Sequence, residues 1–222
     1  ACSSSGPTAL QLAREHPDGL AAARYVSIGV GDLPRTYKAL PASGADVSED
    51  ASQTLAEYKC EMITGPTGPI LASYRSPEFE NKGDGAELHV TTTIFGNAES
   101  AAAHLALEEN PRYPGCKAAI FKRALVASAS PGESVGFVTV KVTAPPPRFG
   151  DSGVQVVGLS SLTLAGGVST TATSDLTILA RGPIVCELSA ETYGASPGAL
   201  LDKLTALLAT RLAQVAGAHP AK

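Results

Sequence analysis

The stretch Ala86-Glu-Leu-His-Val-Thr-Thr-Thr-Ile-Phe-Gly-Asn-Ala-Glu-Ser-Ala-Ala-Ala-His-Leu-Ala-Leu-Glu-Glu-Asn-Pro-Arg-Tyr-Pro-Gly-Cys116 decides the fold. Residues 87–95 carry the β-branched run Thr91, Thr92, Thr93 and Ile94, which fits a pleated, half-buried surface and predicts one long strand. Asn97 is a good helix N-cap, and the Ala/Leu-rich run to Glu109 predicts a helix that Pro111 closes. A short turn then ends at Cys116.

Upstream of this unit, residues 1–24 read as a flexible tether, in which any helical turns over 8–16 are broken by Pro17-Asp18-Gly19. Gly31-Asp32-Leu33-Pro34 predicts a helix running to about Leu40. A polar loop over 41–52 leads to two short strands, 58–64 and 70–76, around the turn cluster Gly65-Pro66-Thr67-Gly68-Pro69. Residues 78–85 read as an acidic loop.

Downstream, 119–129 and 134–143 read as strands, the second apolar enough on both sides to be covered on each. Residues 144–150 form a polyproline connector. Strands follow over 154–164, 176–181 and 184–192, with 165–174 flexible and Arg181-Gly182-Pro183 as a turn. Ser196 and Pro197 open a closing helix whose Leu200, Leu201, Leu204, Leu207, Leu208, Leu212 and Val215 make a broad apolar stripe. The fold class is α+β: a mainly antiparallel twisted sheet, helices packed on it, and a C-terminal amphipathic helix. One domain covers 25–217, and 218–222 is a tail.

Composition excludes several functions. With 17 Lys+Arg against 21 Asp+Glu, a net charge of −4 and no basic cluster, the chain lacks the positive stripe that nucleic acid demands. No apolar run approaches the roughly 20 residues that cross a bilayer as a helix. Ala1-Cys2-Ser3-Ser4-Ser5-Gly6-Pro7 resembles the processing point of a bacterial lipoprotein, at which Cys2 becomes lipidated and holds the protein to the membrane. Cys60, Cys116 and Cys186 remain, an odd set without zinc-type spacing that allows one pair and one leftover in an oxidising compartment. Cys60 and Cys116, each at the edge of a regular element, are the favoured pair. Cys186 lies in an apolar strand and reads as a small buried hydrophobe.

Catalytic and metal motifs are weak. Gly194-Ala195-Ser196-Pro197-Gly198 matches G-x-S-x-G, yet the residue after the serine is a proline, with no N–H for an oxyanion hole. Ser196 as a helix cap explains the same letters, so a serine hydrolase is the least favoured reading. His104 pairs naturally with Glu108 at i+4. The oxygen ligands Glu78, Glu80, Asn81, Asp84 and Glu87 lack EF-hand spacing and read as a solvated turn. Neither a metal nor a cofactor is expected. Tyr74 beside Arg75, and Tyr113 near Cys116, are the candidates for ligand contact.

The order Cys60, Gly65-Pro66, Tyr74-Arg75-Ser76, strand, Ala-rich helix, Cys116, Arg181-Gly182 and closing helix resembles the PknH-type extracellular sensor domain of actinobacterial receptor kinases and secreted lipoproteins. The likeness covers roughly residues 32–217. It implies a Cys60–Cys116 disulfide, a twisted sheet carrying helices, and a cleft for an unidentified ligand. The family often has Trp where this chain has Tyr113, and a second disulfide for which Cys186 has no partner. The expected function is a non-catalytic, exported, membrane-anchored lipoprotein that binds a ligand or an envelope protein. An accessory subunit of a membrane complex and a lipid carrier are the alternatives.

Overall fold

The computed structural model describes residues 9–41, 59–61, 68–143, 152–194 and 196–217. The chain opens with α1 (Ala9–Glu15), α2 (Leu20–Val26) and a 3-10 turn over Val30–Asp32. Strands β1 (Tyr37–Ala39), β2 (Ile70–Arg75), β3 (Phe79–Asn81) and β4 (Glu87–Phe95) follow. Then come α3 (Ala98–Glu108), α4 (Tyr113–Ser128) and β5 (Ser134–Thr143). The strands β6 (Ser152–Thr163), β7 (Ser169–Arg181) and β8 (Ile184–Tyr193) precede the closing helix α5 (Gly198–Ala216).

The central unit forms as its residues dictate. The β-branched run of β4 is hydrogen-bonded on both sides, to β8 along one edge and to β2 and β3 along the other. The Asn97 Oδ1 accepts the Ser100 N–H at 2.8 Å and starts α3. All eight strands join one antiparallel sheet in the order β1-β3-β4-β8-β7-β6-β5, with β2 beside β3 on β4.

Because neighbours across a strand pair share a face, register assigns the core. Leu88, Val90, Ile94, Leu179, Cys186 and Leu188 point to one face and pack with Val26 of α2 and Leu204, Leu208 and Leu212 of α5. The opposite face carries Phe95, Val154, Val156, Ile178 and Val185, covered by Ala101 and Leu105 of α3 and by Tyr113 of α4. Helices on both faces give the α+β class expected from the sequence.

Several local expectations are corrected. Residues 9–24 are no tether: α1 and α2 enter the core through Ala13, Ala22 and Ala23, small side chains that let the helices approach closely. No helix runs from Asp32 to Leu40: a 3-10 turn ends at Asp32, whose carboxylate is engaged by the Gly29 N–H and by Arg211, and β1 follows. Residues 119–129 are helical, part of α4, and its buried Tyr113, Cys116 and Ile120 recur at helical spacing. Among the residues expected to form a strand over 58–64, 59–61 are helical and the rest lie outside the described residues. Strand β7 begins at Ser169, because the Ser/Thr run expected to be flexible pairs fully with β6. Strand β5, expected to be covered on both faces, ends the sheet with Phe137 55% exposed. The connector 144–150 and the tail 218–222 lie outside the described residues.

The two ends of the described chain are locked together. Arg211 Nη2 donates to Asp32 Oδ1 at 2.8 Å, Nη1 donates to Asp32 Oδ2 at 3.1 Å and to the Ser27 carbonyl, and the guanidinium lies 5.9 Å from the Tyr25 ring centroid. A two-pronged arginine–carboxylate pair that is mostly shielded from water is worth more than an exposed one. Arg211→Met is expected to cost about 2 kcal/mol, below the roughly 3–5 kcal/mol of breaking a fully buried pair. Urea unfolding of Arg211→Met, Asp32→Asn and the double variant measures this. Additive single losses would show that the pair is not coupled.

Candidate functional site

The disulfide is present. Cys60 and Cys116 are bonded across a sequence separation of 56, with their Cα atoms 5.7 Å apart. Cys116 lies in the first turn of α4 and is buried, whereas Cys60 is exposed. Cys186 is a free, buried thiol that burial pushes up to about 12, and it accepts a long contact from Thr92 Oγ1 at 3.8 Å. It packs as the small hydrophobe its strand implies. Cys2 lies outside the described residues.

The three candidates for ligand contact are not brought together. Tyr74 pairs with Thr92 and faces α2, where the Arg24 guanidinium lies 5.4 Å from its ring centroid. Arg75 is next along the strand and therefore faces the other way. Tyr113 is 0% exposed within the core beneath α3 and α4, with Lys117 Nζ 5.9 Å from its ring centroid. Its size and burial make it a packing residue in this structure.

Register assembles a different constellation around Arg75. The pairs Arg75 with Thr91, His89 with Ser189, and Glu87 with Glu191 place these side chains on one face, beyond the area that α3 covers. Arg75 Nη2 approaches His89 Nδ1 at 3.5 Å, and Glu78 Oε1 lies 3.8 Å from the same nitrogen. At the α3 border, His104 Nε2 meets Glu187 Oε1 at 2.8 Å, so this histidine ties helix to sheet. The outcome is a polar strip built from β2, β4 and β8, half-buried around His89 and exposed at Glu191.

The strip strains its own acids. Loss of water raises the Glu87 pKa above 4.5, and Glu78 and Glu80 push the same way. Glu191 is raised for the same first reason, with Glu87 and Glu78 adding and Arg75 opposing. Groups raised on folding contribute stability that is complete below the unfolded value and fades as pH climbs through the folded one. The protein should therefore melt higher near pH 5 than at pH 7. In the Glu87→Gln/Glu191→Gln variant that difference should shrink, with a higher melting temperature at pH 7. Parallel melting curves for variant and parent would refute this.

Ser196 does not cap α5. Its Oγ donates to Asp175 Oδ2 at 2.6 Å, and Pro197 takes the cap position. Asp175 pairs with Ala190, which pairs with Leu88, so this contact lies on the α5 face. His89 and His104 serve the opposite face, which separates the serine and aspartate from both imidazoles. In the acidic loop, Asn81 Oδ1 and Asp84 Oδ1 accept the N–H groups of Gly83 and Ala86 and shape the turn. Among the described residues, no group of three or more His, Cys, Asp or Glu side chains has the arrangement of a metal site.

These features define an α+β domain with one antiparallel sheet covered on both faces and stapled by a disulfide. No protein-family model matches the chain, and no curated protein matches it. Among solved structures it is similar to the crystal structure of the extracellular domain of PknH from Mycobacterium tuberculosis, at 10% identity over 79% of this chain and 98% of that chain, with a TM-score of 0.32. That is a weak structural resemblance and fixes neither kinship nor function.

Proposed function

We propose that this chain is an exported, membrane-anchored lipoprotein whose domain binds a ligand or another envelope protein and catalyses no reaction. The observation that carries the reading is the Cys60–Cys116 bond, since disulfides persist where thiols are kept oxidised, outside the cytosol. The residue pattern Ala1-Cys2-Ser3-Ser4-Ser5-Gly6, like that around a lipoprotein cysteine, supports anchoring through an acylated Cys2. Ligand contact is assigned to the strip around Arg75, where polar groups from separate strands converge. Kinship with the PknH-type sensor domains belongs to the same reading. Mass analysis of the Cys2 peptide from native membranes tests the anchor: added acyl mass on Cys2 is expected, and an unmodified peptide beginning at Ala1 would refute it.

An accessory subunit of a membrane complex is the second reading. It is supported by exposed apolar side chains where β5, β6 and β7 approach their shared end: Phe137, Leu159, Leu164 and Val168. A photo-crosslinking residue at Phe137 should then capture a membrane-protein partner in cells. A lipid carrier would instead co-purify with lipid detectable by mass spectrometry.

A further inference from the structure

We propose that the Cys60–Cys116 disulfide is a thiol-exchange site with a fixed direction: an external dithiol attacks the Cys60 sulfur, and the Cys116 sulfur leaves. The proposal rests on the reading of this protein as exported, because the oxidised pair is the reactant.

Solvent access sets the direction. Exchange needs the attacking thiolate to reach the far side of one sulfur, in line with the S–S bond. Cys60 is exposed on the helical residues 59–61, whereas Cys116 is only 7% exposed. Only Cys60 meets a nucleophile arriving from solvent. The better leaving group is the sulfur whose thiolate is more stable. Cys116 sits in the first turn of the 16-residue α4, where the positive end of the helix dipole favours a thiolate and its burial opposes one, so leaving-group stability does not decide the direction. Access therefore selects the bond polarity.

In the first step the dithiol's thiolate bonds to Cys60 Sγ, the Sγ–Sγ bond breaks, and its electron pair goes to Cys116 Sγ, which takes a proton from water. In the second step the other thiol of the dithiol attacks its own sulfur in the mixed disulfide and releases the Cys60 thiolate. The dithiol ends oxidised to a disulfide and the protein ends with two thiols. A thioredoxin-type reductase of the envelope has the chemistry to serve as that dithiol.

The test uses the full oxidised chain and a thioredoxin-type reductase whose second cysteine is replaced by serine, so that the first adduct is trapped. Acid quenching, N-ethylmaleimide labelling and peptide mapping then locate each group. The expected result is reductase on Cys60 and maleimide on Cys116 in the great majority of trapped complexes. Reductase on Cys116, an even split, or adducts that form only in denaturant would overturn the proposal. Thiol counting on freshly isolated protein keeps the two readings apart. Material oxidised in the cell that reacts at Cys116 overturns the exchange direction alone. Material isolated with both thiols free overturns export, and its direction of exchange is still read after reoxidation with oxidised glutathione.

Discussion

Replacing Cys60 and Cys116 together by serine lowers the free energy of unfolding by about 4 kcal/mol in the chain-entropy account of a loop this long. For a domain of this size that corresponds to roughly 10 °C in melting temperature. The bond spans 56 positions and ties residues 59–61 to the first turn of α4, so its loss frees a long segment in the unfolded chain. Guanidinium unfolding of the double variant beside the parent, both without reductant, measures the effect. A change below about 1 kcal/mol would mean that the unfolded chain gains little freedom when the bond is absent.

The second large effect is expected at Tyr113. Its side chain is among the largest fully buried ones and fills the second core cluster between α3, α4 and the sheet. Tyr113→Ala is expected to cost about 4 kcal/mol, the scale for deleting a buried aromatic ring and leaving a cavity. Tyr113→Phe retains the ring and should cost far less. The pair of variants separates packing from recognition: thermal unfolding tracks ring volume in the first case, whereas a contact role would leave Tyr113→Ala folded and defective in binding.

The fold was legible where chemistry is local. The Thr91–Ile94 run, the Asn97 cap and the apolar stripe of α5 each announce one element, and the Arg181-Gly182-Pro183 turn joins β7 to β8, with Gly182 at φ 56°. Short apolar runs were ambiguous. The segment holding Ile120, Phe121 and Val126 has strand-like letters, yet its alanines favour the helix and Tyr113, Cys116 and Ile120 supply its buried side. The helices α1 and α2 bury mostly alanine, so the large-residue periodicity that marks a core helix was missing. The strip around Arg75 was hidden for another reason. His89, Glu87, Glu187 and Glu191 converge only through the β4–β8 register, which a single chain read in order does not display. The Ser196–Asp175 contact likewise spans 21 positions and depends on where α5 starts.

Export with an intact staple is the claim on which the proposed role stands. Rapid acid quenching of the source cells, alkylation of every free thiol, and non-reducing peptide mapping test it directly. The account predicts one linked peptide pair containing Cys60 and Cys116, with alkylation confined to Cys186 among the cysteines within the described fold. Alkylated Cys60 and Cys116 in the same quenched material would contradict it.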